Sequence, residues 1–216
     1  MNELMAEFRE EYDEVLTNAE RFCCAARAKE LQHEATLKLQ ALKKKATQLK
    51  ERAVDARNED AANQMLCYEY IINTLWHELK MWIALKDDDG NRAWEHLIDA
   101  QSDARCAIHA HDTASHLSNY IKRLALLEHL LFPKLAFVSV GVLISRSTCT
   151  ICGEEYGECN HLKGKAYMGQ LCAEEIHDAK LLETSIVDVP ASKHNRILQV
   201  PDGKVMRDAI TWRVIN

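Results

Sequence analysis

The feature that most constrains this fold is where the chain breakers fall. The first glycine is Gly90 and the first proline is Pro133, and six of the seven glycines and all three prolines lie beyond residue 132. A stretch free of Gly and Pro has nothing to interrupt a helix, whereas turns and strand ends draw on both. The chain therefore divides into a helical part, residues 1–132, and a mixed part, residues 133–216, joined at Phe132-Pro133.

Within the helical part the apolar spacing marks out successive helices. Leu4, Phe8, Tyr12, Val15, Leu16, Ala19, Phe22 and Cys23 recur at steps of three and four and form one apolar face. Ala35, Leu39, Leu42, Ala46, Leu49, Ala53 and Ala56 continue as a thin, alanine-rich heptad seam. Such a seam predicts a protruding arm, paired with the next helix or with a second subunit, with its tip or bend at 58–63. From Met65 to Ile83 apolar residues, two Trp among them, cover most of the circumference, which places that helix at the bundle centre. Asp87 to Asn91 ends it, with Gly90 expected in the left-handed region. Asn91 is expected to cap a helix bearing Trp94, Leu97, Ile98, Gln101, Ala104 and Ile108, and a last helix runs from Leu117 to Leu131.

Charge is uneven along these helices. The first twenty residues carry seven acids against one base, while Lys38 to Arg57 holds seven bases against two acids. The basic stretch reads as a solvated helix face or as an electrostatic contact, with the acidic first helix of a neighbour or with nucleic acid through Lys43, Lys44, Lys45, Lys50 and Arg52. No aromatic side chain is interleaved with it, so a base-stacking platform is not indicated. The net charge of −6 argues against a dominant nucleic-acid surface.

The strongest chemical signal lies in the mixed part. Cys149 and Cys152 have the spacing with which one tight turn presents two sulfurs to one ion, and Cys159 and His161 form a second pair. Three thiolates and an imidazole make a closed Cys3His set, a composition typical of structural Zn²⁺. Cys172 is an alternative to His161 as ligand, or a buried thiol. Gly153 and Gly157 stand where sharp turns are needed. His109, His111 and His116 cluster at a helix break without an acidic or thiol partner at useful spacing, so helix capping is the expected role for His109 or His111.

Around the knuckle the pattern is that of strands. Ala136 to Ile144 has strong β character and feeds into Cys149; Gly164 to Gly169 predicts a tight loop or hairpin. Leu171, Cys172, Ile176, Ala179 and Leu182 have helical spacing; further strands are expected at 183–189 and 196–200, a turn at Pro201-Asp202-Gly203, and a last strand within 205–214. The expected class is α+β: an N-terminal helical bundle with a coiled-coil-like arm, and a C-terminal small β-sheet stapled by zinc. No apolar run is long enough to span a bilayer. The acidic start lacks the basic region of a signal peptide, which places the chain in the cytoplasm with reduced cysteines.

Ser139-Val-Gly141 after a β run, followed by Glu183-Thr-Ser-Ile-Val-Asp-Val-Pro-Ala191, resembles strand motifs of phage prohead (capsid-maturation) serine proteases, over residues 136–197. The resemblance implies a bacterial, phage or mobile-element setting and Ser139 as nucleophile. The histidine that the family places on an earlier strand has no counterpart, because helices stand there; His129 is on a helix. Arg105 and His111 fit the Arg-x4–6-His spacing of HEPN-type ribonucleases, as do Arg27 and His33. The expected function is a non-catalytic, zinc-binding interaction or assembly protein whose helical arm docks a protein partner or a second copy of itself, with the zinc module as a structural platform. A Ser139 or Arg105/His111 hydrolase, or a nucleic-acid-binding accessory protein, are the alternatives.

Overall fold

In the computed structural model, which describes residues 2–215, helices come first and strands follow. The helices are α1 (Asn2–Glu20), α2 (Lys29–Asp55), α3 (Glu59–Lys86), α4 (Gly90–Ala110) and α5 (Ser118–Leu131), with a 3-10 turn at Asp112–Leu117 before the last. The α+β class read from the sequence is the observed one. Helix α3 is the centre: Met65 to Tyr68 and Met81 to Ala84 are buried at consecutive positions, so the helix meets neighbours all round. α2 packs along one side of it and α4 along the other. Asn58 caps α3 by accepting the Ala61 N–H at 3.1 Å, and Asp89 caps α4 by accepting that of Arg92 at 3.0 Å.

Most of the alanine-rich seam is buried, with Ala56 exposed at its end, but α2 does not protrude. Leu39, Leu42 and Ala46 meet Met65, Ile72 and Leu79 in one cluster, which α1 joins through Phe8, Tyr12 and Leu16. Small residues let α2 approach closely, and the aromatic residues of α1 supply the area that alanine lacks. Leu39→Ala should lower unfolding free energy by about 2–5 kcal/mol in urea titrations, because its side chain is wholly enclosed.

Two local expectations at the α3–α4 turn are corrected. Asp88, with φ of 60°, takes the left-handed conformation rather than Gly90, and Asp89 rather than Asn91 is the cap. Gly90 serves a close approach instead: a Cβ there would stand 2.9 Å from Ile210 Cγ2. Asn91 donates from Nδ2 to Asp208 Oδ2 at 2.6 Å, tying the C-terminal strands to the bundle.

The strands form three small sheets. β1 (Phe137–Cys149) pairs antiparallel with β4 (Glu174–Val187); β2 (Ala166–Tyr167) and β3 (Gln170–Leu171) make a tight hairpin; β5 (Gln199–Asp202), β6 (Val205–Asp208) and β7 (Val214–Ile215) make the third sheet. The helix expected over 171–182 is therefore strand. Its apolar residues fit a helical face, but β1 needs a hydrogen-bonding partner along its length, and the pairing runs from Phe137↔Val187 to Cys149↔Glu174. The strand expected within 205–214 is divided by a turn at 209–211.

The β1–β4 ribbon is fastened at both ends. Phe137 and Val187 join the cluster of Trp94, Leu97, Leu124 and Phe132. At the other end, Ala166 joins the cluster around Met65, and Asn63 of α3 receives the Gly169 N–H at 2.8 Å. Between these anchors most residues of both strands are exposed. Directly opposed residues share a face, so Val138, Val140, Val142 and Ile144 stand together with Ile186, Thr184, Leu181 and Ala179. None of these eight residues is charged, and Val140, Leu181 and Ile186 are exposed by 56%, 60% and 72%.

Candidate metal centre

The centre is built where β1 ends. Cys149 closes the strand, Gly153 turns the chain with φ of 76°, and its N–H returns to the Cys149 carbonyl at 2.8 Å. The Cys149 N–H donates to the Glu154 carbonyl at 2.9 Å, folding Cys152 back beside Cys149. Thr150 clasps Ala173 by reciprocal bonds, its N–H to the Ala173 carbonyl at 3.0 Å and its Oγ1 accepting the Ala173 N–H at 2.9 Å. The β2–β3 hairpin returns under the turn, with Met168 and Gly169 both at positive φ, the conformation of a two-residue type I′ connection.

The donor atoms of Cys149, Cys152, Cys159 and His161 all lie within 4.8 Å of one another, so the cluster can hold one metal ion. Three features of the protein fit such an ion. The Ile151 N–H donates to Cys149 Sγ at 3.4 Å, as backbone amides do around thiolates. Burial raises the Cys149 thiol, yet the N–H groups of Cys152 and Ile151 and the Cys172 thiol hold it down at about 6. His161 Nδ1 is buried without a hydrogen-bond partner among the described residues, while the ring is held edge-on against Tyr167 with centroids 4.7 Å apart. A buried imidazole nitrogen left unpaired beside three thiols is the mark of a ligand position. Cys172 is buried, with its sulfur 3.7 Å from that of Cys149. Cys172 is not among the four donors that all lie within 4.8 Å of one another, so it stands beside that set.

The other residues singled out from the sequence are not assembled into a site. Ser139 Oγ accepts the Ala191 N–H at 3.5 Å and faces Ser185 across the ribbon; among the described residues no imidazole bonds to it. His129 lies exposed on α5. Arg105 is exposed on α4, whereas His111 caps the 3-10 turn by accepting the Thr113 N–H and faces Asp60 at 3.3 Å. His109 sits in the last turn of α4, and His116 Nδ1 lies 3.0 Å from the Thr113 carbonyl. Of the basic stretch, Lys45 pairs with Glu11 at 2.6 Å and Lys50 pairs with Glu69. Acidic α1 and basic α2 thus meet within one chain. Among the described residues no helix is long and apolar enough to cross a membrane.

A second group of donors went unread in the sequence: His77 on α3 with His96, Asp99 and Asp103 on α4. Burial lowers His77 to about 3 and His96 to about 4, so both rings are neutral at neutral pH, and burial raises Asp103 to about 7. Compared with known family models, curated proteins and solved structures, this chain gives no match.

Proposed function

We propose that the chain is a non-catalytic assembly protein. A Zn²⁺ ion held by Cys149, Cys152, Cys159 and His161 fastens the far end of the β1–β4 ribbon, and the ribbon's aliphatic face docks on the same face of a second copy. Zinc is the ion that three thiolates and an imidazole favour, and a set of four protein ligands leaves no position for substrate. The single observation that carries the reading is the uncharged ribbon face, pinned at both ends and bare between them.

A second copy suits this face for two reasons. A surface without charge needs no complementary partner, and a two-fold axis sets each aliphatic side chain against its own kind. Covering Val140, Val142, Ile144, Leu181 and Ile186, each roughly half exposed, is worth about 1 kcal/mol per side chain, or about 10 kcal/mol across the pair. That exceeds the lower part of the ~4–15 kcal/mol cost of association, so the expected state is a concentration-dependent dimer.

Light scattering and sedimentation over a range of concentrations test this. Wild type should shift from monomer to dimer, and Val140→Glu with Ile186→Glu should hold the chain monomeric with an unchanged helical spectrum. A wild type that stays monomeric throughout, or a charged variant that still dimerises, overturns the reading.

A further inference from the structure

A second cluster of metal-binding side chains lies away from the cysteines, between α3 and α4. His77 Nδ1 and His96 Nδ1 are 3.1 Å apart, and Asp99 Oδ2 is 3.5 Å from the same His77 nitrogen. All three donors fall within 4.8 Å of one another. Ligands held at about 2.0–2.1 Å from one ion stand roughly 3.0–3.4 Å from each other, so the spacing is that of neighbouring ligands.

His77 Nδ1, His96 Nδ1 and Asp99 Oδ2, three atoms each able to offer a lone pair, converge on the space between them. A cation at the centre satisfies all three atoms at once.

The surroundings are those of a supported site. His77 Nε2 faces Asp103 Oδ2 at 3.7 Å, so the carboxylate stands behind the ring, on the side away from His96 and Asp99. Asp99 Oδ1 faces His194 Nε2 at 3.3 Å; His194 Nδ1 bonds in turn to Glu95, whose other oxygen meets Arg196 at 3.1 Å. Carboxylate and imidazole partners behind ligands orient them and tune their basicity. Trp76 packs edge-on against both imidazoles, with centroids at 4.8 and 5.8 Å. Beside His77 opens a cleft of about 210 Å³ that Trp76 and Lys43 also line.

We propose that His77, His96 and Asp99 bind a first-row divalent transition-metal ion, with Asp103 and His194 as positioning residues. Two imidazoles and one carboxylate leave coordination positions for water, unlike the closed cysteine site. The proposal goes beyond the assembly role and does not depend on it.

Cobalt titration of the full-length, reduced, metal-free protein separates the two sites. The cysteine site gives thiolate-to-cobalt charge-transfer absorption; the histidine site gives only weaker ligand-field bands, together with quenching of the adjacent Trp76. Wild type should bind two Co²⁺ per chain, whereas His96→Gln and Asp99→Asn should each bind one and keep the charge-transfer band. Asp103→Asn should weaken the second site by roughly tenfold or more. Asp99 is partly exposed, so its variant decides the matter if His96→Gln misfolds. A wild type whose bound Co²⁺ all shows the charge-transfer band with Trp76 unquenched, or a second ion bound equally by Asp99→Asn, overturns the proposal.

Discussion

Removing the metal from the Cys149–His161 centre, by chelation or by Cys152→Ser, should unfold the segment from Thr150 to Cys172 while the helices persist. The segment has little else to hold it. Among its residues only Ala166, Gly169 and Cys172 are buried in addition to Cys149 at its edge, and its strands β2 and β3 are two residues each. Binding of structural zinc supplies about 10 kcal/mol or more in small modules, far beyond what such a core provides. The far-UV helical signal and the main melting transition should remain, because the clusters around α3 contain no ligand residue. Limited proteolysis should then cut within 150–172, and elemental analysis should find zinc lost. His161→Ala should behave as Cys152→Ser does, whereas Cys172→Ser should keep the metal and lose only the contact to Cys149. A chelated protein as resistant to protease as the untreated one would refute the assignment.

The second large effect is expected at Glu78, a carboxylate with no exposure at all. It receives two bonds from Arg123, one of them at 2.8 Å, together with the Tyr120 hydroxyl and the Trp82 indole N–H at 3.3 Å. The two halves of this pair are not equivalent. Arg123 is 41% exposed and can hydrate when its partner is lost, while Glu78 has no water to turn to. Arg123→Ala should therefore cost about 3–5 kcal/mol, the range for stranding one member of a buried ion pair. Glu78→Leu should cost less, about 1–3 kcal/mol, because it strands only the Tyr120 hydroxyl and the Trp82 N–H. Chemical denaturation of the two variants checks the order; Glu78→Leu proving the costlier would contradict this account of the core.

What the sequence made legible was whatever repeats or acts locally. The Leu39–Leu42–Ala46 seam, the all-round apolarity of α3 and the Cys149–Cys152 turn are each set by neighbours a few residues away. The end of β4 was read as a strand from residue 183, but its first part was hidden because Ile176, Ala179 and Leu182 fit a helical face, and what overrides that pattern is pairing with β1, a long-range event. The protruding arm was misplaced because a thin seam says how closely a helix can be approached and not which helix approaches; α1 and α3 cover it from within the chain. His77 and His96 escaped notice for the same reason, since nineteen residues and a turn separate them before α3 and α4 bring them together. A hint did exist: His96, Asp99 and Asp103, at steps of three and four, share one face of α4. His109, His111 and His116 drew attention by adjacency, and the helix break disperses them.

The tethering of the ribbon at both ends turns the molecule into a pair of rulers graduated differently. Thirteen residues of β1 at about 3.3 Å each reach about 43 Å, and the twenty-eight of α3 at about 1.5 Å each reach about 42 Å. An insertion of two residues in both strands lengthens one ruler by nearly 7 Å, which the helices can match only by growing more than a full turn. Related sequences should therefore change length in the loops and rarely in the ribbon, unless α3 and α4 change with it.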